Sequence, residues 1–216
     1  MSFKSFPIFI ILALLFLTAC DGAGVNRSLS VADGESRDGG LNTVNGSIRI
    51  GTDAAVDGSS RTVNGRISVR DGSKVGGLAT VNGSIEVARN VEVDGDMESV
   101  NGSVDCATGT QVKGDISSIN GSLFLEGTVV SGKIQTHNGS VTLRDGSRIE
   151  KDVVIARTRG TGNRREIEIK IEGAIVEGDV IVEDPNRKVT VYLSDGGEVR
   201  GEIKDAEVVH EAVAGL

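Results

Sequence analysis

The chain has no Trp, a single Tyr (Tyr192) and, beyond its first twenty residues, a single Phe (Phe124). A globular core ordinarily uses aromatic rings as bulky filler, each burying roughly 150–250 Å2. Their near absence, beside 30 Gly and many Val and Ile, excludes a thick aromatic core and points to a thin, regular one. Sulfur and imidazole are as scarce, with two Cys and two His. If Cys20 is consumed by modification, Cys106 has no intrachain disulfide partner, and two Cys and two His make no metal cluster. Basic charge is also in deficit. Taking residues 1–19 away removes Lys4 alone, leaving 22 basic and 31 acidic residues, a net charge of -9. An acidic balance argues against nucleic acid as a partner, which needs a basic footprint, and suits a soluble, non-sticky surface.

What is present begins with MSFKSFPIFIILALLFLTAC. Lys4 precedes an apolar run from Phe9 to Leu17, and small residues lead to Cys20, the layout of a secretory signal. The run is short of the roughly 20 apolar residues that span a bilayer. Leu17-Thr18-Ala19-Cys20 resembles the lipobox of bacterial lipoproteins. The resemblance implies cleavage before Cys20, a diacylglycerol on its thiol and acylation of its new amine. Each buried methylene contributes about 0.8 kcal/mol, so two or three chains hold a soluble domain on a membrane. The implied location is the cell envelope, lipid-anchored on a periplasmic face or at the cell surface. Asp21 resembles the inner-membrane retention signal of enterobacterial lipoproteins, a rule that differs between lineages. Residues 20–40 are rich in Gly, Ser and Asp and read as a flexible tether.

The body repeats itself. TVNGSIRI, TVNGRISV, TVNGSIEV, SVNGSVDC, SINGSLFL and THNGSVTL carry Asn45, Asn64, Asn82, Asn101, Asn120 and Asn138, at intervals of 19, 18, 19, 19 and 18 residues. A second motif, Val or Ile followed two residues on usually by Gly (Lys151 in one case), keeps the same step until its last two intervals, which lengthen to 27 and 23 residues. It starts at Val56, Val75, Val93, Val112, Val130, Ile149, Val176 and Val199. Two offset motifs in phase signify a solenoid. Within residues 97–115 the apolar side chains are Met97, Val100, Val104, Cys106 and Val112, and Asn101-Gly102, Gly109-Thr110 and Lys113-Gly114 separate them. Such pairs supply left-handed backbone positions at corners. Three short strands and three corners predict an all-β fold: a single-stranded parallel β-helix, right-handed and triangular, of about eight coils of 18–19 residues over residues 41–204. Stacking at about 4.8 Å gives a rod on the order of 40 Å long. Residues 205–216 are expected to form a short capping helix or a loose tail.

Several residue groups invite a functional reading. The six Asn would stack as a ladder. They serve as corner formers whose amides bond along the stack, or as a polar stripe for glycan or ice-like recognition. Five of the six, and Asn26, also fit an N-x-Ser sequon, which turn geometry explains. Asp57, Asp71, Asp94 and Asp145 precede Gly but lack the nine-residue spacing of calcium-loaded β-rolls, and read as turn formers. The last two coils are lengthened by residues 156–166 and 183–188, at the corner that Asn-Gly occupies elsewhere. The first insertion carries Arg157, Arg159, Arg164 and Arg165, the one basic break in an acidic chain and the candidate contact for phosphates, lipopolysaccharide or an acidic partner. His137 replaces the apolar residue before an Asn-Gly, His210 lies in the tail, and Cys106 takes an inward apolar slot.

The steps VKGDI, VEGDV and VRGEI look like those of bactofilins, cytoskeletal β-helices that polymerise end to end. The VNGSI-type strands resemble the bacterial β-strand-repeat family described as adhesins. Coils here are slightly longer than in bactofilins, and an export signal replaces a cytoplasmic terminus. The resemblance implies a non-enzymatic envelope scaffold or adhesin, with an envelope protein or a polysaccharide as partner and no cofactor. A self-polymerising homo-oligomer is the alternative. A β-helical polysaccharide lyase, hydrolase or epimerase shares only the architecture, and one Tyr and no Trp offer little for a sugar groove.

Overall fold

A computed structural model describes residues 23–157 and 165–210. Every regular element in them is a short strand, and all strand pairs are parallel. Successive strands go in turn to three sheets, here called A, B and C, of ten, ten and nine strands. Each strand pairs with the strands one coil before and one coil after, so the chain is a parallel β-solenoid of about nine turns. That is one more than the sequence predicts, because residues 23–40 are no tether. They form the first coil, with strands Ala23–Gly24, Leu29–Val31 and Ser36–Arg37. Leu29 and Val31, two residues apart, enter the core, and the surrounding Gly, Ser and Asp are corner residues like those of every later coil. At the other end Glu207–His210 is a strand on Thr190–Leu193, not a helix; residues 211–216 lie outside the described residues.

Alternation within each strand sends every second residue inward. Ile48, Ile67, Ile85, Val104, Leu123, Val141, Ile169 and Val191 stack down one inner column of sheet B. The leading residues of the second motif, Val56 to Val199, form one column of sheet C. Each such side chain contributes roughly 1.5–3 kcal/mol of gross burial, realised only when the next coil covers it. Cys106 lies between Val87 and Leu125 in the second inner column of sheet B, as its position in the repeat predicts.

Two expectations fail instructively. Val100 does not face the core: the inward residue is Ser99, and Val100 is half-buried on the outside. The same swap holds for Thr43, Thr62, Thr80, Ser118 and Thr136, all buried. Their hydroxyls serve the corner next to them. Thr43, Thr62 and Thr80 donate to carbonyls of the preceding coil's corner (2.7, 2.8 and 3.1 Å). Ser99 donates to Gly102 O (2.8 Å), and Ser118 and Thr136 accept from Gly121 N and Gly139 N (both 3.0 Å).

The second failure concerns the glycines. The Asn-Gly glycines have no positive φ. A Cβ on Gly102 would sit 1.9 Å from the carbonyl oxygen of Gly83 in the coil below. Glycine is needed there because stacked corners touch, not because the backbone turns left. The same crowding governs the corner between sheets C and A, where a Cβ on Gly114 would meet Asp96 Oδ1 at 2.3 Å. Left-handed backbone gathers at the corner between B and C, in a column of Gly34, Asp53, Gly72, Asn90, Gly109, Gly127, Asp145, Gly173 and Asp195. That column advances by the same 18–19 residues through the first seven coils.

Candidate functional site

The corner between sheets A and B holds the Asn ladder. Each side-chain amide donates from Nδ2 to Oδ1 of the rung below: Asn64 to Asn45 (2.7 Å), Asn82 to Asn64 (2.8 Å), Asn101 to Asn82 (2.9 Å), Asn120 to Asn101 (2.9 Å) and Asn138 to Asn120 (2.8 Å). The ladder has a further rung at Asn26, which lacks the following Gly that marks the others. Asn26, with φ 57°, accepts from Asn45 Nδ2 at 2.7 Å. An amide has two N–H donors and two lone pairs, so an inner rung spends one of each on the stack. Beside the ladder Val44, Val63, Val81, Val100 and Ile119 form a half-buried apolar stripe that ends at His137, whose Nδ1 is buried without a partner among the described residues.

At this same corner the two long loops take over. Arg157 is exposed, with its backbone N on Glu183 Oε2 (3.2 Å), and Arg165 is exposed on the far side of the insertion. Arg159 and Arg164 lie outside the described residues. The neighbourhood is not purely basic. Glu166 pairs with Lys188 (2.9 Å) and accepts from Thr190 (3.0 Å), and the Lys188 bond holds its carboxyl below the usual range. In the second loop Asp184 and Arg187 are buried. Arg187 N bonds Asp184 O (2.9 Å), and Asn186 N reaches Asp184 Oδ1 (3.2 Å).

The outer surface of sheet B carries a different chemistry. Phe124, Thr142, Lys170 and Tyr192 follow one another in one outward column, so Phe124 and Tyr192 share a face. A cation lies over each ring: Arg144 is 5.6 Å from the Phe124 centroid and Lys170 Nζ 5.9 Å from that of Tyr192. Phe124 helps line an open depression of about 320 Å3, together with Arg70, Glu86, Ala88, Ala107 and Glu126. Alternation was the available signal. Phe124 lies between inward Leu123 and Leu125, so it had to face outward.

Two of the acidic turn residues, Asp71 and Asp94, have cationic partners on the surface. On sheet C, Lys113 bonds Asp94 (2.6 Å) and also Glu92, while Lys74 lies 3.3 Å from Asp94. Lys113 holds the Asp94 carboxyl below its ordinary value. Asp71 is lowered in the same sense by Arg89, through its backbone N–H (3.0 Å) and its guanidinium (3.1 Å). Asp145 supplies a left-handed position instead. Among the described residues no three His, Cys, Asp or Glu side chains are grouped to hold a metal ion. Cys106 is fully buried, and burial pushes its thiol up to about 12. Cys20 lies outside the described residues. No protein-family model, curated protein or solved structure matches the chain.

Proposed function

We propose that this chain is a lipid-anchored, non-enzymatic scaffold of the bacterial cell envelope that binds an envelope protein or polysaccharide along the outer face of sheet B. The observation that carries this reading is the column Phe124–Thr142–Lys170–Tyr192, which together with Arg144, two residues along the strand from Thr142, sets the domain's two aromatic rings and the two cations over them on one face of sheet B. Rings and cations held by a parallel ladder lose little entropy on binding, and ring faces stack on sugars and apolar side chains alike. The lipobox-like Leu17–Cys20 supports attachment through Cys20.

Two measurements test the two halves. Metabolic labelling with an alkynyl fatty acid should mark the wild-type chain and leave Cys20→Ser unlabelled; equal labelling refutes the anchor. Retention of peptidoglycan, lipopolysaccharide or envelope proteins by the immobilised protein should fall for Phe124→Ala/Tyr192→Ala. Unchanged retention refutes the face.

One observation favours a second reading, end-to-end homopolymerisation. The last coil leaves Val199, Ile203 and Ala206 only partly buried and Val208 39% exposed. Its three strands end their sheets, and an open strand edge is a template for pairing. Filaments seen by electron microscopy, and lost in Val208→Asp, would decide for it.

A further inference from the structure

We propose that the six Asn-Gly pairs of the ladder are self-modification sites gated by coil opening. A stacked rung is held intact, and a rung that opens converts its asparagine irreversibly and bars that coil from closing again. The chemistry needs only water. The backbone nitrogen of the following Gly, losing its proton to hydroxide, attacks Cγ of the Asn. The Cγ–Nδ2 bond breaks, ammonia leaves, and a five-membered succinimide forms. Water then opens the ring at either carbonyl and leaves aspartate or isoaspartate. Glycine is the follower that hinders this attack least, and Asn45, Asn64, Asn82, Asn101, Asn120 and Asn138 all precede one.

The folded corner restrains the reacting groups. Each of these six amides donates to the rung below at 2.7–2.9 Å, which fixes the Cγ that would be attacked. Three of the six attacking nitrogens are engaged as well: Gly65 N bonds Asn82 O (3.2 Å), and Gly121 N and Gly139 N bond the hydroxyls of Ser118 and Thr136 (both 3.0 Å). The turn cannot swing, because the space beside each of the six glycines is filled by backbone of the coil below, 1.8–2.2 Å from where a Cβ would stand. After reaction an aspartate accepts from the rung above but has no N–H for the oxygen of the rung below. An isoaspartate adds a backbone atom where there is no room. Re-closure is therefore blocked.

Solenoids open most readily from their ends. Burial weakens toward the amino-terminal end, where Leu29 is 9% exposed against 0% for Ile48 and Ile67 above it. The terminal rung, Asn26, is followed by Arg27 and not by Gly. In the native protein Asn45 should thus react first, Asn64 next, and the interior rungs Asn101 and Asn120 last.

The test is a peptide map of isoaspartate formed by the full chain in mild detergent at pH 8, with and without concentrated urea. In urea all six sites should react at similar rates, and natively Asn101 should be slower on the order of tenfold or more. Native rates equal to those in urea overturn the proposal, as does Asn101 reacting natively as fast as Asn45. A rung deletion isolates the ladder's own share. Asn101→Ala should accelerate native reaction at Asn120, which loses the acceptor of its amide, and leave Asn45 unchanged. No acceleration at Asn120 overturns gating by the ladder.

Discussion

Gly102→Ala separates stacking from backbone twist as the reason for glycine at the Asn-Gly corner. The added Cβ would lie 1.9 Å from Gly83 O and 2.5 Å from its carbonyl carbon. Ordinary C···O contact begins near 3.3 Å, so the two coils must part locally by about 1.4 Å. That movement takes the Asn101 amide off Asn82 (2.9 Å) and strains the bond from Asn101 N to Val81 O (2.7 Å). Two hydrogen bonds at about 1 kcal/mol each and overpacking of about 1–3 kcal/mol sum to a cost of about 3–5 kcal/mol. Alanine recovers roughly 0.4–1 kcal/mol by restricting the unfolded chain. Gly146 is the control, with φ 81° and nothing within 4 Å of its would-be Cβ. Gly146→Ala meets only the left-handed penalty of about 1–2 kcal/mol. Urea unfolding followed by far-UV circular dichroism should place the Gly102→Ala midpoint well below that of Gly146→Ala. Equal midpoints, or the reverse order, would refute the stacking argument.

Three further outcomes are expected. Thr62→Val, which deletes a buried hydroxyl bonded to Gly46 O at 2.8 Å, should cost about 1 kcal/mol by urea unfolding, and Thr62→Ser should recover part of it. Cys106, its thiol pushed up to about 12 by burial, should resist a thiol reagent at pH 8 in the folded protein and react promptly in urea. The pH dependence has two opposite components. Asp71, Asp94 and Asp179 lie below their ordinary 3.8, and Glu166 below 4.5. Their contribution is complete above those values and is lost as pH falls through the lower folded ones. The unfolding midpoint should therefore drop in acid, and Asp179→Asn should flatten the drop. Glu98 is raised, by burial and then by Asp96, so its ionised form opposes folding. Glu98→Gln should raise the midpoint at neutral pH and change little where Glu98 is already protonated.

The architecture was legible because stacking writes its period into the chain. The Val56–Val199 series named an inner column of sheet C, and the position of Cys106 named its slot in sheet B. What failed did so for local reasons. Apolar character alone assigned Val100 inward, but the strand beginning at Met97 alternates, and a buried Ser99 is satisfied by the carbonyl of Gly102. The first coil was passed over because it lacks an Asn-Gly: Asn26 makes its rung with Arg27 behind it, and its strands are only two or three residues long. The Arg-rich insertion drew attention by charge. The outward column of Phe124 and Tyr192 did not, because its members are far apart in sequence and adjoin only once the register is known.

Each coil occupies the same place as the last, so the repeats compare positions within a single chain. A column that barely changes is one that the stack constrains. The Asn rungs bond to each other, the corner glycines have no room for a Cβ, and Asp96, Asp115, Asp152 and Asp179 each accept the backbone amide of the coil above at 2.8–2.9 Å. A column that changes freely is one that stacking leaves alone. The outward column of sheet B runs Ser30, Arg49, Ser68, Glu86, Asp105, Phe124, Thr142, Lys170 and Tyr192, with scarcely two neighbours alike. Internal repetition thus argues against reading the Asn ladder as a recognition stripe, since its regularity is already accounted for by the corner it holds. Specificity must be written where the repeat is broken. The variable face of sheet B and the lengthened loops after Asn138 meet that condition.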